Sequence, residues 1–265
     1  MVKEPWKLLA VPLLLFIALP ILALILNTSP TQFFENLNKT QVVKAINLSL
    51  FTTLITMLIS LVTGTPVAYL LAQRRFRFHR LVDTLIDLPT VLPPSVAGVA
   101  LLMAFGRKGF LGPILSAWDI SIPFTTIAVI IAQTFIATPF YVKAATIGFA
   151  AVDTELKQAA ALDGANRWQI FSLVTLPLSW RALLSGSVMT WARALGEFGA
   201  TIIFAGNFPG RTQTMPLAIY IGFELDMGVA LTLAVILISF SFMTLVIVKG
   251  VLHHRLDDDL LGPVV

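Results

Sequence analysis

Cysteine is absent from this 265-residue chain, which excludes a disulfide framework, thiolate catalysis and cysteine-ligated metals. Charge is scarce as well: Asp, Glu, Lys and Arg make up 12% of residues, against about 25% in soluble domains. Hydrophobic residues reach 57%, and mean hydropathy is +0.88. That balance excludes a soluble globular domain and makes the chain an integral membrane protein. No basic run forms an extended patch with interleaved aromatics, so the net charge of +4 is not read as a nucleic-acid signal. No Gly-x4-Gly-Lys-Ser/Thr phosphate loop is present, so the sequence shows no nucleotide-hydrolysing loop of that type. The apolar segments hold no Ser/His/Asp set, paired catalytic carboxylates or His-x-x-Glu-His-type metal site, which argues against an intramembrane enzyme.

What is abundant is long apolar sequence. A hydrocarbon core of about 30 Å takes about 20 helical residues. Six stretches qualify, at 8–26, 46–72, 85–105, 124–150, 180–205 and 229–248, and all belong to one transmembrane domain spanning 1–265. The first follows Lys3 and Lys7, but it outruns a signal peptide's apolar region and no small-x-small cleavage site follows, so it is read as a retained helix. Lys/Arg bias sets orientation. With the N-terminus inside, ten basic residues fall in cytoplasmic segments and five outside, which places both termini in the cytoplasm. The run RRFRFHR at 74–80 then reads as a positive-inside anchor meeting anionic headgroups, and residues 153–177 become cytoplasmic.

Three segments depart from plain apolar helix. LPTVLPPSV carries Pro89, Pro93 and Pro94, whose rings remove donors and crowd the preceding turn, so the third segment cannot be one regular helix. Broken backbone at membrane depth survives only where protein covers it or water reaches it, which leaves a pathway, a helix interface or a surface kink open. In the fifth segment Arg193 and Glu197 stand one helical turn apart near mid-span. Charges there cost at least ~2.5 kcal/mol each, so they face a cavity or a partner, either each other or a group on another helix. The tail HHRLDDDLLGPVV lacks a spacing that converges its histidines and aspartates, and reads as solvated cytoplasmic chain.

The polar insert at 153–177 is the third departure. Thr154–Ala161 is a good helix former, Gly164 supplies a reversal that a side chain resists, and Asn166–Leu173 suits a second short helix. Leu156 and Ala160 face Ile170, Phe171 and Val174 as stripes that would pack the two helices together. Asp163, Asn166, Arg167 and Trp168 are left around the turn for a partner surface.

The insert's pattern is Gln158-Ala159-Ala160, three residues, Gly164-Ala165, and on to Leu176-Pro177. It resembles the coupling loop of ABC-importer permeases, in which a Glu-Ala-Ala-x3-Gly-x9-Ile-x-Leu-Pro segment docks on the ATP-hydrolysing subunit. From about 47 to 249 the chain is similar to permeases of the molybdate/tungstate type, through LPTVLPPSVAGVALL at 88–102 and ARALGEFGATIIFAGNFPGRTQTMPLAIY at 192–220. The family's leading glutamate is Gln158 here, which keeps shape and hydrogen bonding and loses an ion pair.

The resemblance implies an all-α, polytopic, type I importer permease of six transmembrane helices with a cytoplasmic coupling helix. It implies a homodimer with the pathway on the twofold axis, a pair of ABC ATP-binding subunits that hold ATP and Mg, and an extracytoplasmic molybdate/tungstate-binding protein. No cofactor or metal belongs to this chain itself. ATPase coupling falls to Gln158, Ala159, Ala160, Asp163, Gly164, Ala165, Asn166, Arg167 and Trp168. Candidates for pathway or gating are Arg193, Glu197, Pro93 and Pro94. Sulfate, thiosulfate or another oxyanion is the alternative cargo, and a secondary carrier or channel the alternative class.

Overall fold

The computed structural model describes residues 5–73 and 77–260, with side chains from 10 to 250. Arg74 and Arg75 of the basic run, Lys3, and the side chains of the His253–Asp259 tail lie outside them. All regular structure among the described residues is helical. In chain order the helices are α1 (Pro5–Leu26), α2 (Pro30–Leu37), α3 (Thr40–Gln73), α4 (His79–Val91), α5 (Pro94–Phe105), α6 (Gly112–Ala117), α7 (Thr126–Ala150), α8 (Thr154–Leu162) and α9 (Arg167–Gln169). A π-helical turn (Ile170–Thr175) leads into α10 (Leu176–Leu195), and α11 (Gly199–Phe204), α12 (Met215–Leu225) and α13 (Met227–Leu260) follow.

Three of these, α3, α7 and the Met227–Gly250 part of α13, are long and apolar enough to cross a bilayer unbroken. Two bent pairs, α1 with α2 at 72° and α4 with α5 at 116°, have the length and apolarity of a broken span or a re-entrant loop, giving up to five spans where six were expected. The expected single segment at 85–105 is therefore two helices. Leu92 and Pro93 are extended between them, because a residue before proline is pushed out of the helical region. The segment at 180–205 is likewise two pieces, α10 and α11, parted at Gly196–Phe198.

α3 and α7 lie along one another at the centre, and α10 packs against both. Their contact is polar in chemistry. Ser49, Thr52, Thr53, Thr56 and Ser60 recur at three- and four-residue spacing on one buried face of α3. Thr56 Oγ1 reaches Gln133 Oε1 at 3.3 Å, Ser60 meets Thr138 at 2.8 Å, and Thr65 meets Tyr141 at 2.6 Å. Lipid tails are as apolar as leucine, so packing of small residues and such interhelical hydrogen bonds, at about 0.6 kcal/mol each, holds membrane helices together. The opposite faces carry exposed Leu54, Leu58, Val62, Phe242 and Val246, which suit lipid or a partner.

Three buried clusters divide the interior. One joins α5, α7 and α11 through Leu101, Ile136 and Phe204. A second joins α3, α10, α12 and α13 through Val42, Leu195, Met215 and Leu233. The third, at the far end of α3 and α7, holds Leu71, Tyr141 and Phe149, and Phe171 of the π turn packs against it. That third cluster seats the polar insert.

Candidate functional site

Asp153 begins the insert by capping α8, its carboxylate accepting from the Glu155 amide at 2.9 Å. At the other end of α8 the chain reverses through two bonds, Ala165 N–H to Ala160 O at 3.0 Å and Gly164 N–H to Ala161 O at 3.1 Å. These are the 6→1 and 5→2 bonds of a Schellman motif, which needs a left-handed residue between them. Gly164 supplies it with φ at +88° and nothing within 4 Å of where a Cβ would stand. Backbone conformation, not space, therefore requires glycine there.

Asn166 restarts the chain as a capping box. Its Oδ1 accepts from Gln169 N at 2.9 Å while Gln169 Oε1 accepts from Asn166 N at 2.8 Å. The expected helix over Asn166–Leu173 is corrected here: only Arg167–Gln169 is α-helical, and Ile170–Thr175 widens into a π turn whose last bond runs from Leu176 N–H to Phe171 O. Pro177 is the physical reason. It has no N–H for the Leu173 carbonyl and its ring crowds that carbonyl, which a wider turn relieves.

The π turn packs on α8, with Ala160, Ile170, Phe171 and Val174 all partly buried. The Phe171 ring also meets Tyr69 at 4.8 Å, Phe149 at 5.9 Å and Trp168 at 5.6 Å between centroids. Leu156 remains half exposed. Lys157 adds a polar tie from α8 to the bundle, its Nζ donating to the Phe149 carbonyl at the end of α7 at 3.3 Å. Burial pushes the Lys157 amine below its ordinary range, and the nearby Asp153 carboxylate opposes that shift.

The hairpin thus presents a rigid polar knob. Gln158, Ala159, Asp163, Gly164, Asn166 and Arg167 are exposed, and Ala160 and Ala165 are half buried inside the turn. Trp168 is 71% exposed, and Leu162, absent from the sequence-based set, is 89% exposed at the end of α8. Its signal was an apolar residue off the inward stripe, directly before Asp163-Gly164.

The second set of residues meets where the two broken segments touch. Glu197 is 1% exposed; its Oε2 lies 3.0 Å from Arg193 Nη1, and its Oε1 accepts from the Ala200 amide at 2.9 Å. The expectation of one continuous helix here is corrected: the carboxylate folds over the first turn of α11, satisfying a free amide, and the chain breaks at Gly196 to allow it. Both charges find partners within this chain. Pro94 opens α5 directly against that break, since a Cβ on Gly199 would stand 2.6 Å from Pro94 Cβ. One turn on, a Cβ on Gly98 would stand 2.7 Å from Ile203 Cβ and 2.9 Å from the Ala200 carbonyl oxygen. Pro93 and Pro94 are exposed beside this contact.

Lys143, an intramembrane cation of the sequence like Arg193, has partners that the sequence did not indicate. Lys143 of α7 meets Asp83 at 2.6 Å and Asp87 at 2.8 Å, both on α4. Asp83 and Asp87 are four residues apart and share a helix face, but nothing local indicated which helix would meet them.

Residues 64–256 match the family model described as the binding-protein-dependent transport system inner membrane component. The chain is 39% identical over 207 residues to the molybdenum transport system permease protein ModB of Escherichia coli K12, covering 77% of this chain and 90% of that one. It is 35% identical over 224 residues to the sulfate transport system permease protein CysW of Synechococcus elongatus, covering 84% and 78%. Among solved structures, a bacterial ABC transporter involved in the import of the acidic polysaccharide alginate aligns at TM-score 0.68 over 97% of each chain, at 16% identity.

Proposed function

The chain belongs to the family of binding-protein-dependent transport inner membrane components, and on that footing we propose that it is the multi-pass permease subunit of an ATP-driven molybdate importer. The fold is that of type I ABC-importer permeases. The carrying observation is the conjunction of the exposed, capped hairpin at 153–177 with relatives named as molybdenum permeases, including one from Haemophilus influenzae that is 44% identical over 179 residues. Tungstate, close to molybdate in size and charge, is a cargo of the same class.

In the proposed cycle two copies of the chain pair, and each hairpin docks on an ATP-binding subunit. Gln158, Ala159, Ala160, Asp163, Gly164, Ala165, Asn166, Arg167 and Trp168 form the docking surface. Its stiffness comes from the Schellman turn, the capping box and the Lys157 bond to α7, so subunit closure moves the bundle as a lever instead of melting the loop. Closure opens the helices toward a docked extracytoplasmic binding protein; hydrolysis returns them. A related alginate transporter has been seen in complex with its periplasmic protein, which supports that arrangement.

The pathway in this reading runs past the double break, where Arg193, Glu197, Pro93 and Pro94 lie. Two chain breaks packed through glycine give a joint that slides without unpacking side chains. Arg193, partly exposed and charge-balanced by Glu197, presents donors to an anion without trapping it. Sulfate remains the second cargo, because a sulfate permease is among the relatives. Capture of the native complex tests the assignment: a co-purifying ATPase and a binding protein whose ligand contains molybdenum or tungsten are expected, and sulfur alone in that ligand would overturn the cargo.

A further inference from the structure

At the end of the molecule where α3 begins, a cavity of about 530 Å³ is lined by polar Thr40, Gln41, Lys44, Asn207 and Gln213 together with Pro209, Ile221 and Leu225. By the Lys/Arg bias this is the extracytoplasmic end. The cavity wall is mostly apolar surface, with a few polar groups set into it. Gln213 is 4% exposed, yet its side-chain amide has no hydrogen-bond partner among the described residues. With no side-chain bond holding it, the amide is open to what enters the cavity.

Lys44 is likewise without a carboxylate among the described residues, and it lies across the turn at Gly210, where a Cβ would stand 3.3 Å from Lys44 Cδ. A side chain at 210 would push the ammonium aside. No acidic residue lines the cavity. Glu224 and Asp226 flank Leu225 in sequence; Glu224 is exposed, and Asp226 is held by Lys39 at 2.8 Å, a pairing that keeps its carboxyl below the usual range.

We infer that this cavity is a receiving site for a tetrahedral oxyanion, which Lys44 and the Gln213 amide hold before it enters the membrane. The inference rests on the oxyanion-importer reading above. The ammonium supplies charge and the amide a directed donor, and the site contains too few donors to compete with a dedicated binding protein. Asn207 donates Nδ2 to the Leu217 carbonyl at 3.3 Å and leaves its buried Oδ1 without a donor, so it accepts from a water of the anion's shell and is not itself an anion ligand. A water occupies about 30 Å³, so the cavity has room for an anion that keeps part of its hydration.

Equilibrium dialysis of labelled molybdate against the permease–ATPase complex in nanodiscs, without binding protein, tests this. One saturable site per permease copy is expected, displaced by tungstate and sulfate and not by chloride. Lys44→Gln and Gln213→Leu should each weaken it at least tenfold, Lys44→Arg should restore it, and Gln213→Glu should abolish it. Absence of saturable binding to the unaltered complex overturns the inference without recourse to any variant. So does equal binding by assembled Lys44→Gln protein. Failure of the complete system to take up any oxyanion would instead sink the importer reading, so the two failures are distinguishable.

Discussion

Removing the Glu197 carboxylate alone should damage the protein more than removing its charge together with that of Arg193. Breaking a buried ion pair from one side costs about 3–5 kcal/mol. Arg193 is about one-third exposed, so water recovers part of that loss, and Glu197→Gln, which keeps the acceptor for the Ala200 amide, should cost about 2 kcal/mol. Glu197→Ala also forfeits a charge-assisted helix cap worth about 1.5–3 kcal/mol and should cost about 4 in total. The Arg193→Gln/Glu197→Gln double variant replaces the pair by a neutral hydrogen bond and should lie within about 1 kcal/mol of the unaltered chain. At about 3 °C per kcal/mol the apparent Tm should fall by about 12, 6 and 3 °C for Ala, single Gln and double Gln. Thermal unfolding of the detergent-purified protein followed by tryptophan fluorescence reads this. A double variant as unstable as Glu197→Gln, or more so, would refute the pairing as the reason for these charges.

Other consequences are equally direct. Gly164→Val should cost about 1–2 kcal/mol through its left-handed backbone and reduce ATP-coupled uptake, whereas Gly164→Asn should retain most activity; equal uptake in both would contradict the turn's role. Gly98→Val should force α5 from α11 at a cost of about 1–3 kcal/mol, lowering the Tm while membrane insertion persists. Asp226 has a folded pKa below its unfolded 3.8, so its contribution to stability is present above that pH and fades as pH falls through the folded value; Asp226→Asn should flatten the Tm-against-pH curve only on the acid side of about pH 4.

The parts legible in the sequence are those with local causes. The hairpin reversal is written in Gly164, its restart in Asn166 and Gln169, and the break before α5 in three prolines. The 116° angle of that break was not legible, because prolines forbid a straight helix without saying where the next one goes. The π turn had a signal in Pro177, weaker than the apolar spacing that suggested an ordinary helix. The gap at Gly196–Phe198 was hidden because 180–205 has the length and apolarity of a single span; only the flanking Gly196 and Gly199 hinted at it. Contacts between distant segments, such as Lys143 with Asp83 and Asp87, depend on packing that no single sequence window contains.

The measurement that bears most directly on the central claim is labelled-oxyanion uptake into vesicles reconstituted with this chain, its ATPase and its binding protein. ATP-dependent accumulation of molybdate, exceeding that of sulfate and lost when the ATPase is omitted, is the predicted result. Uptake of sulfate alone, or molybdate uptake by the isolated chain without ATP, would contradict it.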